Sequence, residues 1–186
     1  MEYPRDLELV VAFGDSVGPE SGRDDLGSPA RLGHWLTVHG FPQSTGDPSA
    51  AELDLAVQLR TALRNELQAR HDSDETGIRR ARAHLESLAA RIPLRASFSG
   101  HTAQLVSVHG GVAEMLANVL SAIVRADQDG TWRRIKICHE ETCGEVFHDR
   151  SKNASKTWCS MNVCGNRNKT RSYRDRRRED TRPAVE

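Results

Sequence analysis

The sequence predicts an α+β fold in two parts: a mainly helical N-terminal domain with a small antiparallel sheet, then a short cysteine-bearing module. Three observations carry this expectation. Leucines recur at helical spacing through 55–88, two short apolar segments pair across a turn between 94 and 109, and all four cysteines fall between 138 and 164 of the 186 residues. That length accommodates one medium domain and a small module.

Taken in order, Leu7 to Phe13 (LELVVAF) is a continuous apolar run with β-branched members and reads as a short buried strand. The stretch behind it, GDSVGPESGRDDLGSP, is polar and rich in Gly and Pro, hence a loop. Ser28-Pro29 starts a helix, with a hydroxyl cap followed by proline at the first helical position, and that helix stops at Gly40. Asp47-Pro48 repeats the start signal, and Leu55, Leu59, Leu63 and Leu67 then share one face of a long helix. A third helix follows Ser73, with Ile78, Ala81, Leu85, Leu88 and Ile92 on its stripe and Pro93 ending it. In PLRASF, Leu94, Ala96 and Phe98 alternate with Arg95 and Ser97, the pattern of a half-buried strand. SGH turns the chain, and TAQLVSVH returns it as a hairpin. Val112, Met115, Leu116, Val119 and Ile123 mark a buried helix that runs out near Asp129-Gly130. Charge, composition and cysteine usage all shift there, which predicts domains of 1–130 and 131–186.

Net charge is zero, but it is unevenly spread. Residues 1–130 hold 12 Lys/Arg and 18 Asp/Glu, whereas residues 131–186 hold 14 and 8. An acidic body joined to a basic tail suggests contact with a polyanion, the alternative being a tail that is merely well solvated. No stretch approaches the roughly 20 apolar residues of a membrane span. The start, MEYPRDLELVVAFGD, has acids where a signal peptide carries bases, so the protein reads as soluble and cytoplasmic.

Cys138, Cys143, Cys159 and Cys164 give C-x4-C, a gap of fifteen, and C-x4-C again. Two cysteine pairs joined by a short hairpin suit one tetrahedral zinc ion with sulfur ligands at about 2.3 Å. Gly144 and Gly165, each following the second cysteine of its pair, give the backbone room to turn. A module this poor in large apolar groups also needs a staple. Two disulfides, or cysteines as small apolar groups, fit the paired spacing in a reducing compartment less well. Four thiolates close the site, so the single zinc is structural, and His139 and His148 read as ordinary surface groups.

The segments CGEVFHDRSKN and WCSMNVCGNRNK, with Tyr173 and Arg174 behind them, resemble the CGNR-type zinc finger, named for residues that are here Cys164-Gly165-Asn166-Arg167. Phe147, Asp149, Ser151, Asn153 and Trp158 match as well, over roughly residues 138–174. In that family an N-terminal domain called ABATE precedes the finger, and LGHWLTVHGF resembles its Leu-x-x-Trp-Leu segment. The chain departs from the pattern at Lys156-Thr157, where arginines are usual, and at Gly14-Asp15-Ser16, where Asn-Thr is common. The resemblance implies a stress-response transcription regulator that binds DNA, and a treble-clef-like, four-cysteine zinc finger ending in a basic helix.

Ser160 is placed to cap that helix. Along it, Arg167, Arg171, Arg174 and Arg178 are four, three and four apart and share a face, which Lys169, Arg176 and Arg177 widen. Arg167, Lys169, Arg171, Arg174, Arg177 and Arg178 are therefore the candidate nucleic-acid contacts, their alternative being a solvated helix whose bases suit its dipole. Asn166, Asn168 or an arginine would read base edges. One motif points elsewhere. VVAFGDSV resembles the Gly-Asp-Ser block of GDSL esterases, with Ser16 as nucleophile, but that family's Asp-x-x-His and Gly-x-Asn-Asp blocks are missing and no catalytic residue is expected. The expectation is a zinc-dependent DNA-binding regulator, not an enzyme, whose N-terminal domain senses a small molecule or a protein. The alternative is an adaptor whose basic module docks on an acidic protein surface.

Overall fold

A computed structural model describes residues 5–41, 46–98 and 103–180. Among the described residues, six α-helices and three two-stranded antiparallel hairpins follow one another: α1 (Arg5–Gly14), β1 (Val17–Gly18), β2 (Arg23–Asp24), α2 (Pro29–Val38), α3 (Ala50–His71), α4 (Glu75–Ala89), β3 (Leu94–Ser97), β4 (Gln104–Ser107), α5 (Gly111–Gln128), β5 (Ile135–Ile137), β6 (Val146–His148) and α6 (Asn166–Asp180). The strands pair β1–β2, β3–β4 and β5–β6, so the β structure is three separate hairpins. The fold is α+β as expected, with helices supplying most of the core.

The first element differs from its expectation. LELVVAF is helical, not a strand: Leu7, Val10 and Phe13 recur every third residue and are buried against α3 and α5. Asp6 and Glu8 suit the positive end of its dipole. A seven-residue apolar run fits either period, and here the neighbouring helices decide. α2 begins as expected, with the Ser28 hydroxyl accepting from Arg31 N–H and proline at the first position. It stops at Gly40, whose φ is +85°. α3 starts two residues later than Asp47-Pro48 implied. Ser49 caps it in a reciprocal box, the Ser49 side chain accepting from Glu52 N–H while the Glu52 carboxylate accepts from Ser49 N–H at 2.8 Å. Leu59, Leu63 and Leu67 are buried and Leu55 half-buried, as the stripe implied. α4 follows Ser73 as expected, capped by Asp74, and ends at Ala89, so Ile92 is buried beyond it.

β3 and β4 form the expected hairpin, with Leu94 opposite Ser107 and Ser97 opposite Gln104. The SGH turn lies outside the described residues. The alternation is not a burial pattern, however: Ala96 is exposed and Phe98 is 79% exposed, because the hairpin meets α5 mainly through β4. α5 buries Val112, Met115, Leu116 and Val119 as expected, with Ile123 partly covered. Among the described residues no helix is long and apolar enough to cross a membrane.

Residues beyond Gly130 do not stand apart from this core. Trp132, Ile135, Ile137 and Val146 belong to the same apolar cluster as Phe13, Leu63 and Met115. β5 lies on α3 and β6 on α1. Polar contacts reinforce the seam. Arg64 on α3 donates to Gly14 O at 2.8 Å and to Gly144 O at 2.7 Å, and Val146 N–H donates to Asp15 Oδ1 at 3.2 Å. Glu66, buried in α3, accepts from Trp132 Nε1 at 3.3 Å and lies 3.5 Å from both the Arg70 and Arg82 guanidinium groups.

Candidate metal centre and basic face

β5 delivers Cys138 at its end. The turn that follows carries Cys143 and returns the chain to β6, with Cys138 N–H donating to Glu145 O at 2.9 Å and Cys143 N–H to Glu140 O at 3.0 Å. Gly144 adopts φ +61°, the left-handed conformation this turn requires. The second pair sits where the loop from β6 enters the last helix. Met161–Gly165 is a π-helical turn, closed by Gly165 N–H donating five residues back to Ser160 O at 3.1 Å. At Gly165 a Cβ would meet only the flexible Met161 side chain, with Sδ at 2.5 Å, so the turn does not depend on glycine there. Ser160 holds the cap position, but its side chain makes no capping bond.

These elements bring the four thiols together. The sulfurs of Cys138, Cys143, Cys159 and Cys164 all lie within 4.8 Å of one another, with Cys143–Cys159 and Cys159–Cys164 at 3.7 Å. A tetrahedron with 2.3 Å zinc–sulfur bonds sets its sulfurs about 3.8 Å apart, so the constellation fits zinc and is too open for a disulfide. Burial pushes the Cys143 thiol up to about 12 and raises Cys159 and Cys164 as well. The sulfur geometry suits one structural zinc ion, and its binding releases the thiol protons. Phe147 and Trp158 pack against the cysteines and cover part of the centre.

Asp149 organises the remaining ligand-bearing loop. Its carboxylate is 0% exposed and accepts from Lys136 Nζ at 2.7 Å, Ser151 N–H at 2.9 Å, the Ser151 hydroxyl at 2.6 Å and Lys156 N–H at 2.8 Å. Burial alone would raise this carboxyl, but the bonds from Lys136 and Ser151 outweigh it and hold the group well below the usual carboxylate range. Lys136 Nζ also donates to Ala154 O at 2.6 Å and Lys156 O at 2.8 Å, which ties the loop to β5.

α6 leaves the centre directly from Cys164. Its arginines are not equivalent. Arg167 donates to Glu20 Oε1 at 2.6 Å, while Arg171 donates to buried Glu140 at 2.6 Å and to exposed Glu141 at 3.2 Å. Arg174, Lys169 and Arg177 are exposed, the last with its guanidinium carbon 5.9 Å from the Tyr173 ring centre. The Arg178 side chain lies outside the described residues. Arg167, Arg171 and Arg174 line one groove of about 840 Å³ with Asn162, Asn166 and Thr170.

Ser16 is 1% exposed, donates to Phe13 O at 2.7 Å and faces the Arg60 guanidinium at 3.2 Å. Arg60 in turn makes a two-pronged pair with Asp24 at 2.6 and 3.1 Å. Ser16 is therefore a buried anchor of the β1–β2 hairpin, and an ester could not reach its hydroxyl. Sequence reasoning did not find Glu20, Asp15, Arg64 or Glu66 as partners of the C-terminal module. Each is one polar residue among many, and only the fold brings it there.

Fold and site together define a zinc-finger protein whose finger is packed on a helical body. Residues 7–129 match the ABATE family model, described as "Putative stress-induced transcription regulator", and residues 134–177 match the CGNR zinc finger. The chain belongs to the ABATE family and carries a C-terminal CGNR zinc finger. No curated protein matches the chain.

Proposed function

We propose that this protein is a zinc-scaffolded, DNA-binding transcription regulator, divided at Gly130 into a sensing body and a finger. The observation that carries the reading is the exposed basic face of α6: Lys169, Arg174 and Arg177 stand on a helix whose first turn is anchored by Cys164. The adjoining groove offers Asn162, Asn166 and Thr170 beside the arginines, a mixture suited to phosphates and base edges. Zinc supplies rigidity, and the side chains of α6 supply the contacts. On the body, a hollow of about 850 Å³ beside Trp35, His34, Arg31 and Arg23 is where an effector would act.

A mobility-shift titration in rising salt tests this, comparing wild type with Lys169→Glu/Arg174→Glu. Wild type should bind duplex DNA with steep salt dependence, and the variant should lose affinity and shed about two counterions from the slope. Equal, weak binding by both proteins would sink the reading. The adaptor alternative keeps one observation in its favour, since Arg167 and Arg171 already donate to carboxylates of this chain. It predicts a mass in solution that falls as salt rises.

A further inference from the structure

We infer that Glu20 is an intramolecular stand-in for a phosphate on Arg167, a latch by which the N-terminal body restrains the basic face of the finger. The inference rests on the nucleic-acid reading above.

Arg167 belongs to the Cys-Gly-Asn-Arg signature, and its guanidinium lines the groove that faces outward from α6. The carboxylate that meets it at 2.6 Å comes from Glu20, in the short loop between β1 and β2 and 147 residues away in the chain. Carboxylate and phosphate oxygens present the same charge-assisted acceptor to a guanidinium, so they compete for one seat. The base of the hairpin is fixed. Asp24 is gripped by Arg60, and Arg23 donates to the Asp15 backbone carbonyl and carboxylate. The tip rests on the finger's first turn, where Pro19 Cγ lies 3.3 Å from the position a Gly144 side chain would take. Glu20 is thus delivered to Arg167 by an anchored loop and is not a wandering surface acid.

The contact is built to yield. Glu20 and Arg167 are 49% and 47% exposed, so water and salt screen the pair, and a ligand bearing several phosphates can displace the single carboxylate. Arg171 is different. Its partner Glu140 is buried under it, so that arginine stays with the finger whatever binds outside. The other side of the hairpin, Ser21 to Arg23, walls the hollow on the body, which sets the latch between that hollow and the basic face.

The test is a double-mutant cycle on full-length, zinc-loaded protein: wild type, Glu20→Gln, Arg167→Gln and the double variant. Binding to a fluorescent random-sequence DNA duplex of about 20 base pairs is followed by anisotropy, with zinc content and circular dichroism confirming that each variant folds. Glu20→Gln should bind roughly two- to fivefold tighter at low salt, with the gain shrinking as salt rises and vanishing when Arg167 is absent. If wild type binds and Glu20→Gln binds no better, the latch fails while the nucleic-acid reading survives. A gain that persists without Arg167 would be general charge removal and would also overturn the latch. If no variant binds DNA even at low salt, the nucleic-acid reading itself fails and the latch falls with it.

Discussion

Replacing Asp149 with alanine should unfasten the loop that carries the second half of the zinc site. The carboxylate accepts four hydrogen bonds while fully buried, two of them from backbone N–H groups and one from an ammonium. Bonds to a charged group contribute about 1.5–3 kcal/mol each, but their sum overstates the loss. Lys136 keeps two carbonyl acceptors, and Lys156 lies where water can reach it. Removing one side of a buried pair costs about 3–5 kcal/mol, and that is the expected loss. Lys136→Met should cost less, about 1–2 kcal/mol, because Asp149 keeps three donors. Urea unfolding of zinc-loaded protein, followed by tryptophan fluorescence, gives both numbers, and transfer of zinc to a chromophoric chelator should be faster in Asp149→Ala. The pH dependence has a definite sign. A carboxyl whose folded value is depressed stabilises the fold above its unfolded value, about 3.9, and loses that contribution as pH falls through the folded value. The gap between wild type and Asp149→Ala should therefore hold from pH 7 to about pH 5 and narrow below about pH 4. A loss under about 0.5 kcal/mol, or a larger loss for Lys136→Met, would refute the assignment of Asp149 as the loop's organiser.

Two further outcomes follow from the shared core. Cys143→Ser, or chelation of the wild type, should abolish binding of one zinc equivalent and lower the melting temperature of the helical signal of the whole chain, because β5 and β6 cover α3 and α1; calorimetry showing an unchanged helical transition would count against that coupling. Glu66→Ala should destabilise the chain by about 3–5 kcal/mol, since it leaves Trp132 Nε1 and the Arg70 guanidinium without their buried carboxylate. Thermal melts of Glu66→Ala and Glu66→Gln check this, with glutamine recovering the tryptophan bond but not the ion pairs.

The zinc ligands were legible in the sequence because their chemistry constrains spacing directly. Four thiols in two close pairs have few other uses in a reducing compartment, and the turns between them need residues such as Gly144. Helices with caps were legible too, and Ser49 with Glu52 three residues on was a stronger start signal than the proline before it. LELVVAF resisted because its apolar residues satisfy both periods; packing against α3 and α5 makes it a helix. The basic stripe was legible as a helical face, but its electrostatics were not. Whether Arg167 or Arg171 meets an acid depends on Glu20 and Glu140 arriving from other turns of the chain, and no local pattern encodes that.

The placement of β6 against α1 also bears on how such a chain can be recombined. A finger cut out at Gly130 and joined to an unrelated partner would carry Ile135, Ile137 and Val146 away from the helices that bury them. It would also leave behind Arg64, which bridges Gly14 and Gly144 across the seam. The finger is therefore a poor unit for shuffling, and a chimera that keeps it folded must inherit the facing surfaces of α1 and α3 along with it.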